Sequence, residues 1–238
     1  MSDLKLINGI MYSEDLKTAV ADTSTRRKEY VLESSIERIE TQCFYANDVI
    51  EHIVLPTTNP LIIEDRAFEN CKALKEMVIP KNVIHLGNAT FNNCTNLEEV
   101  ILEANIKAIG PFTFTNCESL KEIVIPEGVE RIHENAFYNC FRLKKVVLPK
   151  SLKQIDRNAF RQCLLLKSIT IPKDVKIKDV IFDNTIEKII IDKNTLIKLP
   201  YFKSLYEGKF VINKTLDELL EEGKSLHEIS KIYKIEER

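Results

Sequence analysis

The sequence predicts a repeat solenoid of short, mostly parallel strands, with a β-hairpin at its start and short helices at its end. Three observations predict it. Cys71, Cys94, Cys117, Cys140 and Cys163 recur every 23 residues. Phe68, Phe91, Phe114, Phe137 and Phe160 keep the same step, and so do Leu74, Leu97, Leu120, Leu143 and Leu166. A period of roughly 20–29 residues marks units that cannot bury their own apolar face and must stack on neighbours. Composition agrees: 44% of the 238 residues are hydrophobic, enough for a core and too many for a disordered chain.

Taken in order, residues 1–35 are expected to form a β-hairpin cap, with Thr23-Ser24-Thr25-Arg26-Arg27-Lys28 as its polar turn. Residues 36–192 then make a solenoid of about seven coils, and residues 193–238 a helical cap. The repeated motif has the form I-x-x-x-A-F-x-x-C-x-x-L-x-x-I-x-I-P. One unit shows it most fully, with Ile132, Ala136, Phe137, Cys140, Leu143, Val146, Leu148 and Pro149. The first unit is a variant: Ile39, Cys43, Phe44, Asn47, Ile50, Ile53, Leu55 and Pro56. The next is longer by one, since Phe68 follows Phe44 by 24. In the last unit Ile186, Ile189 and Ile191 keep the strand, but Ala-Phe and Cys are gone.

Each position has a physical role. The segment Ile/Val-x-Ile/Leu reads as a strand by alternation. Its outer members (Val100 and Leu102, Ile123 and Ile125, Val146 and Leu148) point inward and the middle one outward. The Pro that follows has no N–H, so it ends the ladder and turns the chain. Phe and Leu fill the interior.

This motif resembles that of the BspA-like leucine-rich repeat family over roughly residues 5–192. The stretch Ile7-Asn8-Gly9-Ile10-Met11-Tyr12-Ser13-Glu14-Asp15 is also similar to the hairpin that often precedes such repeats. The resemblance implies a right-handed superhelical solenoid used for binding, secreted or surface-displayed in many members. Here Met1–Ile10 has an early acid and no apolar segment, so no signal peptide is expected. Unpaired cysteines suit a reducing compartment, and a cytoplasmic location is the expectation.

Several chemistries find no support. Metal sites use tight C-x₂-C pairs, whereas these cysteines occupy one inward position per coil and read as a buried packing ladder. No metal or cofactor is expected. His52, His85, His133 and His227 fall at different repeat positions, and no H-E-x-x-H, G-x-S-x-G or G-x-G-x-x-G occurs, so no enzyme is expected. With 34 Lys+Arg against 36 Asp+Glu, the net charge of −2 excludes a broad basic field for nucleic acid. No apolar run approaches the ~18–20 residues of a membrane span.

At the end of the chain, Thr215-Leu216-Asp217-Glu218 and Ser225-Leu226-His227-Glu228 are capping boxes that predict helices at about 216–222 and 226–234. Gly223 separates them. The pair is similar to the first part of a helix-turn-helix, but only Lys234-Ile235-Glu236-Glu237-Arg238 remains where the groove-reading helix would follow. A packed cap is the expectation, and a nucleic-acid-linked regulator is the alternative.

The candidate binding surface is the row of outward strand residues. Val54, Val78, Ile101, Val124, Val147, Thr170 and Ile190 are β-branched, and all but Thr170 are apolar. Strand preference accounts for part of this, yet a sheet face open to water usually turns polar. The column before it reads His52, Glu76, Glu99, Glu122, Lys145, Ser168, Lys188, acidic in the middle and basic toward the end. The expected protein-binding residues are Glu76, Val78, Glu99, Ile101, Glu122, Val124, Lys145 and Val147. The function expected from them is a non-enzymatic protein-binding scaffold, acting as an inhibitor or host-interaction factor.

Overall fold

The structure, a computed structural model, describes residues 4–23 and 27–213. It opens with antiparallel strands β1 (Lys5–Ile7), β2 (Ile10–Tyr12) and β3 (Thr18–Asp22). Asn8 and Gly9 turn the chain between β1 and β2 with positive φ of 52° and 86°. A two-residue hairpin turn requires that conformation, and Asn-Gly adopts it with little strain. The hairpin turns of the described residues therefore lie at 8–9 and 13–17, and Ser24, Thr25 and Arg26, in the middle of the expected turn, lie outside the described residues. Thr23 instead closes onto Gly9, whose carbonyl accepts from its N–H and its hydroxyl (2.7 and 2.9 Å). Polar composition marks loops of any kind, whereas a hairpin turn is picked out by residues that tolerate positive φ.

From Glu29 each coil contributes two short strands. They are β4 (Glu29–Val31) and β5 (Arg38–Ile39), β6 (His52–Val54) and β7 (Leu61–Ile63), β8 (Glu76–Ile79) and β9 (Val83–Leu86). Then come β10 (Glu99–Leu102) and β11 (Ala108–Ile109), β12 (Glu122–Val124) and β13 (Arg131–Ile132), β14 (Lys145–Val147) and β15 (Gln154–Ile155), and β16 (Ser168–Thr170) and β17 (Lys176–Ile177). Finally β18 (Lys188–Ile191) leads through α1 (Lys193–Ile197) and α2 (Pro200–Leu205) to β19 (Phe210–Ile212). The first strands of the coils form one face and the second strands another. Pairing between coils is parallel, as in Glu99–Leu102 against Glu76–Ile79. The turn between the two strands of a coil uses the proline carbonyl: Pro80, Pro126 and Pro149 accept from the N–H three residues on.

Among the described residues nine strands lie on the first face, an extent of about 38 Å at ~4.8 Å per step. The stack thus begins before residue 36 and continues past 192, longer than seven coils. The N-terminal hairpin joins the second face, where β3 pairs with β5. Asp192 caps α1 by accepting from the N–H groups of Asn194 and Thr195 (3.0 and 3.1 Å), and β19 then pairs with β18. The helices expected at 216–222 and 226–234 lie outside the described residues.

The core is a column of rings. Phe44, Phe68, Phe91, Phe114, Phe137 and Phe160 stack nearly parallel at centroid separations of 5.1–5.4 Å. Phe182 continues it at 5.9 Å, so the last unit does keep an aromatic, displaced by one residue from the period. A tyrosine closes each end edge-on: Tyr30 against Phe44 at 72° and Tyr206 against Phe182 at 69°. The Tyr206 hydroxyl donates to the Phe182 carbonyl (2.8 Å) and accepts from the Phe182 N–H (3.0 Å); the Tyr30 hydroxyl donates to Asp22 (2.9 Å). A phenol suits this end position because its ring covers the last phenyl while its oxygen meets polar groups.

Val100, Leu102, Ile123, Ile125 and Val146 are buried as expected. Leu148 is only half-buried, because the sheet splits beside it. The cysteines are buried and unpaired, but they do more than fill space. Each thiol from Cys71 to Cys163 donates to the carbonyl of the Phe in the preceding coil, at 3.1–3.3 Å. Burial pushes their acidity down, raising Cys71 to about 12. Cys117→Ser is expected to cost about 1–3 kcal/mol, because the hydroxyl adds polarity to a dry column while its shorter bond sits farther from the Phe91 carbonyl. Urea denaturation checks this; unchanged stability would mean that the column tolerates polarity.

Candidate protein-interaction surface

The first face carries the expected residues in one register. Val78 lies opposite Ile101, and Val124 opposite Val147. Their side chains, with that of Val54, are 41–57% exposed, far above what strands of a two-sided core would show. Thr170 is exposed and Ile190 half-buried. The structure adds Val31 and Val211 to the two ends, each paired with the column (Val31 with Val54, Val211 with Ile190) and each exposed. The repeat motif is missing from both units. Their only sequence signal is a short alternating run, Glu29-Tyr30-Val31 and Phe210-Val211-Ile212.

Glu76, Glu99 and Glu122 are adjacent in register, and like charges on neighbouring strands repel. Relief comes at the edges of the trio. His52 Nδ1 lies 3.0 Å from Glu76, and Lys145 Nζ lies 3.8 Å from Glu122. Among the described residues Glu99 makes no ion pair. The neighbouring column differs, because it neutralises itself: Lys28 bonds Glu51 (2.6 Å), Lys75 bonds Glu51 and Lys121 bonds Glu98 (2.5 Å). The Lys28 ammonium, and after it Lys75, hold Glu51 down to about 2. Among the described residues unbalanced negative charge is thus left on the Glu76–Glu122 segment, offset by Lys145 only at its edge, and positive charge at Lys188, which makes no ion pair.

The ladder on this face is split between β6 and β8 and between β14 and β16. A hollow opens at each split. The larger, of about 550 Å³, is lined by Val146, Val147, Leu148, Lys150, Thr170, Ile171, Pro172, Lys173, Asp192 and Asn213. The smaller, of about 290 Å³, lies among His52, Val54, Leu55, Glu76, Val78 and Pro80. The larger has an apolar floor with two lysines on its rim. Sequence reasoning missed both, since neither strand's own residues signal the split between β14 and β16.

Elsewhere His52 and His85 lie on strands of different faces, and His133 lies 3.6 Å from the buried Asp156, which Arg131 also holds (2.6 and 2.8 Å); His227 lies outside the described residues. Among the described residues no group of three or more His, Cys, Asp or Glu is placed to hold a metal ion. None of their helices is long and apolar enough to cross a membrane.

The family model for the BspA type leucine rich repeat region matches residues 21–141 and 86–209, in six copies. Among solved structures, a leucine-rich repeat protein from Eubacterium ventriosum is 24% identical with a TM-score of 0.71, covering 76% of this chain and 50% of that one. A leucine rich cell surface protein from Faecalibacterium prausnitzii is 19% identical with a TM-score of 0.59, covering 80% and 55%. The T. pallidum leucine rich repeat protein is 19% identical with a TM-score of 0.65, covering 90% and 97%. This chain spans about half the length of the first two. At such identities the likeness shows the fold. A comparison with curated proteins finds no match. Matched over most of its length, the chain belongs to the BspA-type leucine-rich repeat family, repeat scaffolds generally used for protein–protein interaction.

Proposed function

We propose that this chain is a non-enzymatic scaffold that binds a protein through the first strand face, centred on Glu76, Val78, Glu99, Ile101, Glu122, Val124, Lys145 and Val147. One observation carries the reading: on the unbroken part of the sheet an exposed apolar row from Val78 to Val147 runs beside three register-adjacent glutamates that only His52 and Lys145 meet, at the two edges. Apolar rows of this kind mark interaction sites on proteins that otherwise keep such residues inside. The flanking charges would set orientation and association rate more than affinity. Inhibition of a partner or interaction with a host protein is the finer role that such a face would serve. The buried, reduced thiols support a reducing compartment.

Ile101→Asp and Val124→Asp are each expected to weaken binding of a captured partner by more than about 2 kcal/mol, if the central residues form the hot spot. Folding should barely change, since both side chains point away from the core. Glu99→Lys and Glu122→Lys should slow association, less so at high salt. Lys107→Glu, exposed beside the second face, is the control. Affinity measured by calorimetry checks this; equal binding by all five variants would place recognition elsewhere.

A further inference from the structure

We propose that the partner fitting this face is a second copy of the same chain, related by a two-fold axis that lies between the two faces. The axis runs parallel to the strands and passes between β12 and β14. This rests on the reading of the first face as an interaction surface and goes further by naming its occupant.

Charge is the first observation. Along the stack the column reads Glu76, Glu99, Glu122, Lys145, Ser168, Lys188, with each member on the next strand. Rotation about this axis reverses the order of coils but keeps every column over itself. Glu122 then faces Lys145 of the second copy, Glu76 faces Lys188, and Glu99 faces the uncharged Ser168. Within this column no like charges meet; in the neighbouring one Lys121 faces Lys144 beside the axis, while Lys75 faces Glu187 and Glu98 faces Lys167. A two-fold along the stack would instead reverse the strand direction, and placed over this column it would set Glu76 on Glu76 and Glu99 on Glu99, which like-charge repulsion disfavours. With the axis between β12 and β14 this column is therefore complementary to itself, as an isologous interface demands.

Shape is the second and is independent of charge. The 550 Å³ hollow opens where β14 and β16 end, bordered by Val147 and Thr170, walled by Leu148 and Ile171, and rimmed by Lys150, Lys173 and Asp192. The same rotation sets Val147 over Val124 of the second copy and Thr170 over Ile101. Ile101 and Val124 are 45% and 56% exposed and stand on the unbroken part of the sheet. The border of the hollow in one copy thus meets the exposed apolar pair of the other, twice by symmetry.

Size sets the strength. Roughly 35 Å by 17 Å gives about 600 Å² per copy, below the ~800 Å² of a standard stable interface. The association is therefore weak and reversible, to be sought at micromolar to sub-millimolar concentrations.

Sedimentation velocity of the full chain across that range is expected to show a monomer–dimer equilibrium weakened by salt. Glu76→Lys and Lys188→Glu should each weaken it by about tenfold or more, and the two together should restore it. Glu76 and Lys188 lie five strands apart in one chain, about 24 Å, so restoration can arise only between copies. Thermal melting of each variant controls for folding. Should loss of the Glu76 contact with His52 (3.0 Å) disturb it, Lys188→Glu alone and the salt dependence carry the test. A chain that stays monomeric throughout, or a double variant no better than the singles, overturns the proposal. If the chain is monomeric while Ile101→Asp still weakens binding of a different protein, only this inference fails. If Ile101→Asp changes neither, the reading of the face fails with it.

Discussion

Phe114→Ala is expected to lower the unfolding free energy by about 3–5 kcal/mol. Phe114 is fully buried and stacks on Phe91 at 5.4 Å and on Phe137 at 5.2 Å. Truncation removes the transfer free energy of the ring and leaves a cavity with a phenyl on either side. Those neighbours cannot close over it, because the parallel strands fix the distance between coils. Phe114→Leu should cost less, since it keeps most of the volume and forfeits mainly the two ring contacts, about 0.5–1.5 kcal/mol each. A gap in mid-stack also weakens one coil–coil junction, and the halves of a solenoid are joined only through such nearest-neighbour junctions. Urea denaturation followed by circular dichroism should therefore show a lower midpoint and a broader transition. A loss below about 1 kcal/mol would mean that the ring column is not the main core.

The parts of the fold legible in the sequence are those where residue type and spacing repeat together. Cys71 to Cys163 and Phe68 to Phe160 fixed both the period and the inward side, and alternation then placed Val78, Ile101, Val124 and Val147 on the outside. The ends were harder to read because there the same physical role is filled by another residue. Tyr30 and Tyr206 continue the ring column but must also meet water or polar backbone, so a phenol stands where the repeat has a phenyl. Phe182 falls one residue off the period and was hidden for that reason. The splits in the first face are a tertiary property. The one between β6 and β8 coincides with the 24-residue step from Phe44 to Phe68, whereas nothing in the structure explains the one between β14 and β16. The complementarity of the face to itself needed the strand register, since it depends on which residues share a column.

A second ladder, not singled out from the sequence although an Asn stands just before Cys71, Cys94, Cys117 and Cys140, gives the other large effect. Asn70, Asn93, Asn116 and Asn139 all have positive φ, between 59° and 66°. The side-chain amide of each donates to the side-chain carbonyl of the one before: Asn93 to Asn70 at 3.0 Å, Asn116 to Asn93 at 2.5 Å, and Asn139 to Asn116 at 2.8 Å. Asparagine meets both demands of the site, because it tolerates the left-handed region and carries a donor and an acceptor on one short side chain. Asn116→Ala fails both. It pays about 1–2 kcal/mol for a Cβ in the left-handed region, and it loses two hydrogen bonds of about 0.5–1.5 kcal/mol each, so the total expected is about 2–5 kcal/mol. Asn116→Gly separates the two causes, since it keeps the backbone freedom and loses only the ladder. Asn116→Asp retains an acceptor for Asn139 but cannot donate to Asn93. The expected order of stability is Asn, then Asp and Gly, then Ala, read from urea midpoints. Glycine as stable as asparagine would show that the side-chain ladder contributes nothing. Alanine as stable as glycine would show that the backbone there is not under constraint. If the order holds, the turns opposite the strand face are what keep successive coils in step, and with them the spacing of Ile101, Val124 and Val147 that a partner must match.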